Sequence, residues 1–278
     1  MTAKYNVSIL LATRGRTEPL GKSVQSLFDL ADNPMKVQLM LGFDKDDTKG
    51  LTYFDRKLQP WLVKNQIAYT AFSFTRMGYE NLHKYSNAMC SKSEGDWLVI
   101  WNDDAIMETK GWDTIISSYT GQFKLLAFDT HNLHPYSIFP IVPRDWYELL
   151  GYISPHQAQD GWVSQQAYML DIFERIPVKV LHDRHDLTGN NQDQTFAERK
   201  FNEGDPNNPL DFHSRQQIQM RHYDCAKLAQ YMQEKRGLST EFFENIFKGT
   251  QDPWEKLKAN DVNRQMVQFP NPHGPQVK

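Results

Sequence analysis

The sequence predicts an α/β fold in which a mixed, mostly parallel sheet is flanked by helices, as in a Rossmann-like three-layer domain, with a helical C-terminal extension. Strand-like and helix-like segments alternate from residue 7 to residue 101, which is the pattern of a parallel sheet with crossover helices. The strand segments are continuous apolar runs, as expected for strands that are buried in a sheet. Acidic residues follow several of these runs directly, which places charge at the carboxyl edge, where such folds bind ligands.

The first half of the chain supplies the clearest alternation of elements. Leu20, Val24, Leu27 and Phe28 recur at helical spacing between two apolar runs, and the same change of periodicity is repeated further along. The predicted strands are 7–12, 37–43, 67–74 and 97–101, and the predicted helices are 20–30, 53–62 and 81–91.

The second half predicts further strands at 123–128, 136–142 and 178–182, and helices at 111–116, 144–151, 163–173 and 195–201. A run of Asn, Asp, Gly and Pro at 202–209 is a loop signal. We therefore divide the chain into a core domain, 1–201, and an extension, 202–278, with helices at 211–237, 238–247 and 253–258 and a mobile tail. The basic residues of 211–237 are interpreted as a solvated helix face, with contact to an acceptor as the alternative.

The composition excludes several classes of protein. Lys and Arg number 31 against 34 Asp and Glu, a net charge of −3, so the chain as a whole is not a basic nucleic-acid binder. Cys90 and Cys225 are its only cysteines, which excludes a disulfide framework or a cysteine zinc site. The N-terminus leads straight into a strand and matches neither a signal peptide nor a membrane span. We expect a protein of the reducing cytoplasm.

Asp103 and Asp104 come directly after the apolar run that ends at Trp101. Adjacent carboxylates at the end of a buried strand repel each other, and a bound cation is the usual reason to keep both. Oxygen ligands at such a place suit Mg²⁺ or Mn²⁺ that holds substrate phosphates. A solvated turn at the strand end, where Asn and Asp are common, is the alternative.

Four motifs in order carry a family resemblance: ATRGR at 12–16, FDKDD at 43–47, GYENLHKYSNA at 78–88 and GDWLVIWNDD at 95–104. Over residues 5–200 the chain resembles inverting, family-2-like glycosyltransferases of the GT-A fold, and we expect a member of phage or virus type, which would place it in the host cytoplasm. The resemblance implies a nucleotide-diphospho-sugar donor and assigns the first 201 residues as the catalytic domain. The donor-binding residues that it implies are Thr13, Arg14, Arg16, Asp44, Asn81, Lys84, Asn87 and Asp103.

The metal-binding motif of the resembled family is usually Asp-X-Asp, and it differs here at its first position, which is Asn102. We therefore expect Asp104 to be the direct ligand of Mn²⁺ or Mg²⁺, with Asp103 as a second ligand or in contact with the sugar. The resemblance also implies a late histidine in the metal shell, as in several GT-A enzymes that use uridine nucleotides. His182 and His185 are the candidates. A zinc hydrolase site and ordinary surface histidines are the alternatives, although the spacing matches no helical zinc signature.

Asp160 matches the position of the catalytic base of the resembled family. An inverting transfer needs a carboxylate that takes the proton of the acceptor hydroxyl as it attacks the anomeric carbon. A simple helix N-cap is the alternative for Asp160, which precedes a predicted helix. The family often has two adjacent acids here, whereas this chain has Gln159 before Asp160.

The sequence thus predicts a metal-dependent glycosyltransferase that moves a sugar, a hexose or a pentose, from a nucleotide diphosphate, most simply UDP, to a hydroxyl acceptor. The acceptor is left open among glycan, protein, lipid and modified nucleic acid. A nucleotidyltransferase is the alternative enzyme, but the loop after the first strand has a single glycine at Gly15 where a glycine-rich phosphate loop is needed. A nucleotide- or sugar-binding module without turnover is the alternative outside enzymes.

Overall fold

A single eight-stranded sheet forms the centre of the computed structural model, which describes residues 4–131, 134–184 and 208–236 of the 278-residue chain. The strand order is β3-β2-β1-β4-β7-β6-β8-β5. The strands are β1 (Tyr5–Thr13), β2 (Val37–Asp44), β3 (Ala68–Phe74), β4 (Gly95–Trp101), β5 (Ala105–Met107), β6 (Leu125–Thr130), β7 (Ile141–Pro143) and β8 (Phe173–His182).

The four strands β3, β2, β1 and β4 are parallel neighbours, as the alternation of strands and helices predicts. Val7 of β1 lies beside Val37 of β2 on one side and beside Trp97 of β4 on the other. The remaining strands are mixed: β7 is antiparallel to β4 and β6, and β5 is antiparallel to β8, whereas β6 and β8 are parallel. The carboxyl ends of β1, β2 and β4 therefore meet at one edge of the sheet.

Helices cover both faces of the sheet and complete three layers. Successive residues of β1 show this, because Ile9 and Leu11 belong to the hydrophobic cluster on one face and Leu10 to the cluster on the other. The helices are α1 (Thr17–Asp29), α2 (Thr48–Tyr53), α3 (Gln59–Lys64), α4 (Leu82–Cys90), α5 (Trp112–Ser117), α6 (Arg144–Leu150), α7 (Gln159–Met169) and α8 (Arg215–Arg236), with a π-helical turn, Phe54–Leu58, between α2 and α3 and 3-10 turns at Pro34–Lys36 and Tyr79–Asn81. The predicted α/β fold is confirmed.

Several predicted elements have wrong bounds. Strand β8 begins at Phe173 rather than at residue 178, and the predicted helix 53–62 is part of a longer run of helical elements from Thr48 to Lys64. Only the end of the predicted strand 136–142 pairs in the sheet, as β7. Pro135 and Pro140 lack the amide hydrogens that a ladder needs, and the Ser137 amide donates to Ser164 Oγ of α7 at 3.0 Å instead. The predicted helix 163–173 runs from Gln159 to Met169, and the chain then turns through Asp171, with φ of 54°, into β8.

The described part of the extension packs on the core domain. Helix α8 buries Cys225, Leu228 and Met232 in the same hydrophobic cluster as α6 and α7. Arg221 of the same helix has an exposed fraction of 0%, so the interpretation of its basic residues as a solvated face is wrong for this one. The predicted helices 195–201, 238–247 and 253–258, the tail and His185 lie outside the described residues.

None of the described helices combines the length and the hydropathy that crossing a bilayer requires.

Candidate active site

A cleft with a volume of about 510 Å³ opens at the carboxyl edge of the parallel strands. This is the edge at which α/β folds with parallel strands bind ligands. The cleft is lined by the ends of β1, β2, β4 and β8, by the start of α7 and by residues 210–213. The cleft thus brings together residues that lie far apart in the sequence.

The acidic turn after β4 is anchored to helix α1. Ser23 Oγ donates to the carbonyl oxygen of Asn102 at 3.2 Å and accepts from Trp101 Nε1 at 2.8 Å. Ser26 Oγ accepts from the amide of Met107 at 2.9 Å on the other side of the turn. Because both serines lie on one helix, the turn that carries Asp103 and Asp104 is fixed relative to the cleft.

Both carboxylates of this turn are buried, with exposed fractions of 6% for Asp103 and 4% for Asp104. Asp103 accepts from Thr13 Oγ1 at 2.6 Å and from Arg16 Nη1 at 2.9 Å. The same Arg16 nitrogen lies 2.9 Å from Asp104 Oδ2. Arg16 therefore bridges the two acids, and Thr13, Arg16, Asp103 and Asp104 are together in the cleft, as the sequence predicts.

His182 lies against the other oxygen of Asp104. Strand β5, which leaves the acidic turn, pairs with β8 so that Ala105 faces His182, and the Asp183 amide donates to the Asp104 carbonyl at 2.8 Å. His182 Nε2 is then 3.3 Å from Asp104 Oδ1. Apart from this contact, neither of the two buried atoms has a hydrogen-bond partner.

This pair fits a divalent cation. Two ligands held about 2.1 Å from one cation at octahedral or tetrahedral angles lie roughly 3.0–3.4 Å apart, and the two atoms here are separated by 3.3 Å. The described residues hold no group of three or more His, Cys, Asp or Glu suited to a metal. Mg²⁺ and similar ions need fewer protein ligands, because substrate phosphates and water supply the rest.

Burial and neighbouring charges act in opposite directions on the two acids. Burial, opposed by Arg16 and assisted by the charge of Asp104, raises the pKa of Asp103 to about 7. Burial also acts to raise the pKa of Asp104, but the imidazole of His182 and the guanidinium of Arg16 outweigh it and leave this pKa below its ordinary value. The pair thus keeps one negative charge firmly on Asp104, the carboxylate beside His182.

In the metal-free protein, we expect the contribution of Asp103 to stability to fall as the pH rises from about 4 to about 7, because a pKa of about 7, above its ordinary 3.8, favours the protonated form in the folded state. Asp103→Asn cannot ionise and should remove this loss. At pH 8 its melting temperature should exceed that of the wild type by about 2–4 °C, the shift that corresponds to roughly 1 kcal/mol. Thermal unfolding of both proteins in EDTA from pH 5 to pH 8 measures these melting temperatures. A difference between variant and wild type that is the same at every pH would contradict the prediction.

The predicted nucleotide residues Arg14 and Asp44 also line the cleft. Tyr85 Oη donates to Asp44 Oδ1 at 2.5 Å, and Arg14 Nη1 donates to Asp44 Oδ2 at 3.0 Å. Arg14 also makes two bonds to Asp46, at 2.6 and 3.0 Å. The Gly15 amide lies 2.8 Å from an oxygen of Asp47, so the loop after β1 is tied to the loop after β2.

The three predicted residues of the α4 segment do not line the cleft. Lys84 is exposed, and the side-chain amide of Asn81 donates from Nδ2 to the Met77 carbonyl at 2.8 Å. Asn87 bonds the backbone of residues 153 and 154 with both ends of its amide. Leu82, Tyr85 and Ser86 line the cleft instead, because they lie on the face of α4 that points toward the sheet edge.

Asp160 lines the cleft from the first turn of α7. The helix N-cap is Ala158 and makes no side-chain cap bond, so the alternative that Asp160 is the cap is wrong. The half-buried Asp160 carboxylate shares its wall with His134, Tyr136 and His156. A carboxylate so placed is able to accept a proton from a molecule bound in the cleft.

Sequence reasoning missed His156 and the segment 210–213. His156 Nδ1 accepts from the Ala158 amide at 3.0 Å, and its Nε2 lies 3.1 Å from the Leu210 carbonyl, to which it donates. Burial lowers the pKa of His156 and favours this neutral form. The contact that brings Leu210 to the cleft is long-range and leaves no local signal in the sequence.

Comparisons with known proteins agree with this architecture. No protein-family model and no curated protein matches the chain. Among solved structures, the chain is similar to the mannosyltransferase PcManGT from Pyrobaculum calidifontis in complex with GDP-Man and Mn²⁺, with 13% identity, a TM-score of 0.56 and coverage of 98% of this chain and 85% of that one. It is also similar to S. aureus TarS, residues 1–349, with 11% identity, a TM-score of 0.52 and coverage of 95% and 81%. The structure of TarS 1–349 in complex with UDP has 12% identity to the chain and a TM-score of 0.51, with coverage of 95% of this chain and 81% of that one. These likenesses confirm the glycosyltransferase fold.

Proposed function

We propose that this protein is a glycosyltransferase that uses Mn²⁺ or Mg²⁺ to transfer a sugar from a nucleotide diphosphate to a hydroxyl acceptor. The observation that carries this proposal is the buried pair Asp104 Oδ1 and His182 Nε2, 3.3 Å apart and without hydrogen-bond partners other than each other, in a cleft at the carboxyl edge of the sheet. The glycosyltransferase fold adds support, because the compared structures include complexes with GDP-Man and Mn²⁺ and with UDP.

Two sets of residues in the cleft would bind the two parts of the donor, the diphosphate with its cation and the nucleoside. Asp104 and His182 would hold the cation, and Asp103 and Arg16 lie directly beside it. Bound there, the cation would act as a Lewis acid on the diphosphate leaving group. Arg14 and Asp44 line the same cleft and would bind the nucleoside. We propose uridine as the nucleoside, because the resembled enzymes with a late histidine in the metal shell use uridine nucleotides.

Asp160 is the proposed general base. The acceptor hydroxyl gives its proton to the Asp160 carboxylate while its oxygen forms a bond to the anomeric carbon. The bond from that carbon to the diphosphate oxygen breaks, and the electron pair leaves with the diphosphate. Attack from the face opposite the leaving group inverts the anomeric configuration. Nucleotide and base would then stand on opposite sides of the transferred sugar.

A screen of nucleotide sugars tests the proposal. The wild-type protein with Mn²⁺ is expected to release a nucleoside diphosphate from a UDP-sugar, by transfer or by hydrolysis, and EDTA is expected to stop the release because Asp104 and His182 then lack their ion. Release of pyrophosphate from a nucleoside triphosphate would indicate a nucleotidyltransferase. Tight nucleotide binding without turnover of any UDP- or GDP-sugar would indicate a binding module, and both results would contradict the proposal.

A further inference from the structure

Two aromatic rings flank the backbone next to Asp160. A Cβ atom built on Gly161 would lie 3.1 Å from Phe212 Cζ and 3.6 Å from Tyr136 Cε2. Both rings are half-buried and line the cleft on the same wall as Asp160. A glycine at this position therefore leaves room for the two rings to approach the start of α7, beside the proposed base.

Phe212 is fixed from behind by Arg221. The guanidinium carbon of Arg221 lies 4.1 Å from the centroid of the Phe212 ring and 5.0 Å from that of Trp162. Arg221 Nη1 also donates to the Phe212 carbonyl at 2.9 Å, and its side chain is fully buried. A desolvated cation over an aromatic face is a strong contact for its type, so Phe212 is a rigid part of the cleft wall.

Gln159 supplies a polar group at the same place. It lines the cleft with an exposed fraction of 8%, and its Oε1 atom is buried without a hydrogen-bond partner. A buried acceptor atom that lacks a donor costs free energy unless a ligand provides one. A hydroxyl group of a bound molecule is the simplest donor for Gln159 Oε1, one residue away from Asp160.

We propose that Phe212, Tyr136 and Gln159 form an acceptor subsite for a pyranose ring. The apolar C–H face of the sugar lies against the aromatic rings, one hydroxyl donates to Gln159 Oε1, and the attacking hydroxyl faces Asp160. Sites of this kind combine aromatic walls with a few placed polar groups. The inference rests on the proposed glycosyl transfer and names its acceptor class.

The charges of the wall favour a neutral sugar over a nucleic acid. Binding to a phosphate backbone depends on Lys and Arg contacts to several phosphates. Within the described residues no lysine lines the cleft, but four arginines do. Arg14 and Arg16 are bonded to carboxylates, Arg76 lies near the Asp46 carboxylate, and Arg184 lies near His134. Asp160 and Asp211 offset the charges of Arg184 and of Arg221 behind Phe212, so this wall has no excess of positive charge to attract a phosphate backbone.

The test measures transfer from the UDP-sugar found by the screen to methyl β-D-glucopyranoside, methyl β-D-galactopyranoside and methyl α-D-mannopyranoside, with ribitol and a single-stranded oligonucleotide for comparison. We expect saturable transfer to at least one of the three pyranosides. We expect no transfer to ribitol or to the oligonucleotide. Phe212→Leu, which keeps apolar packing on Arg221, and Gln159→Leu should each raise the acceptor KM about tenfold, a modest loss of binding free energy. The ratio of transfer to donor hydrolysis should fall as well.

Tyr223→Ala is the matched control, because Tyr223 is an aromatic residue of α8 with an exposed fraction of 62%, away from the cleft. It should leave the acceptor KM unchanged. Transfer to ribitol or to the oligonucleotide in preference to every pyranoside would overturn the inference, and so would an unchanged acceptor KM in both leucine variants. If the wild type hydrolyses no nucleotide sugar at all, the proposed function fails, which is a different result from hydrolysis without transfer to a pyranoside.

Discussion

Asp104→Asn is expected to lower metal-dependent turnover of the nucleotide sugar by about a thousandfold. Asparagine keeps the size of the side chain but removes the charge that faces His182 at 3.3 Å. A metal acting as a Lewis acid supplies several kcal/mol of stabilisation, and about 4 kcal/mol corresponds to a factor of roughly a thousand in rate. Release of nucleoside diphosphate at saturating Mn²⁺ measures the loss, and isothermal titration should show weaker Mn²⁺ binding in the same variant.

Asp55→Asn is the control for this experiment, because Asp55 is exposed and does not line the cleft. It removes one carboxylate charge from the protein and should leave both turnover and Mn²⁺ affinity unchanged. If Asp104→Asn kept the turnover and Mn²⁺ affinity of the wild type, the cation would bind elsewhere and the proposed donor site would be wrong.

Asp160→Asn is expected to reduce sugar transfer by about 10²–10⁴-fold, the usual contribution of a general base. Donor binding should be retained, because Asp160 belongs to α7, whereas Arg14 and Asp44 lie at the ends of β1 and β2. Initial rates with a fixed acceptor measure the loss in kcat, and titration with UDP and Mn²⁺ measures donor binding. The anomeric coupling in the proton NMR spectrum of the wild-type product should show inversion.

Asp145→Asn is a matched control, since Asp145 lies in the first turn of α6 as Asp160 lies in the first turn of α7. Both changes remove a helix N-terminal charge, which is worth about 0.3–1 kcal/mol of stability. A loss of activity in both variants to the same degree would show that the effect of Asp160 is structural. Retention of configuration in the product would also contradict a base on the opposite face.

The residues at the carboxyl edge could be predicted because their signal is local. An apolar run that ends in acids predicts both a buried strand and charged residues at its carboxyl end. Asp44, Asp103 and Asp104 were placed at the edge of the sheet in this way. The order of strands and helices predicted the parallel half of the sheet for the same reason. His182 followed from a strand that ends in histidine, although its contact with Asp104 depends on the pairing of β5 with β8.

The packing of α8 and the contacts of α4 could not be predicted, because they are long-range and partly polar. Arg221 and Asp224 make α8 look like a surface helix, but both are fully buried, and Asp224 accepts from the Tyr152 hydroxyl at 2.7 Å. The rotation of α4 about its axis decides which of its residues face the cleft. Asn81 and Asn87 were placed there by the family resemblance alone, and in the structure they do not line the cleft. Periodicity gives the apolar face of a helix but not the partner of each polar side chain.

A crystal structure of the wild-type protein soaked with UDP and Mn²⁺ tests the central claim most directly. The anomalous signal of manganese is expected between Asp104 Oδ1 and His182 Nε2, with the diphosphate oxygens completing the shell and the uracil near Asp44. A manganese peak away from these two side chains, or UDP bound outside the cleft, would contradict the account.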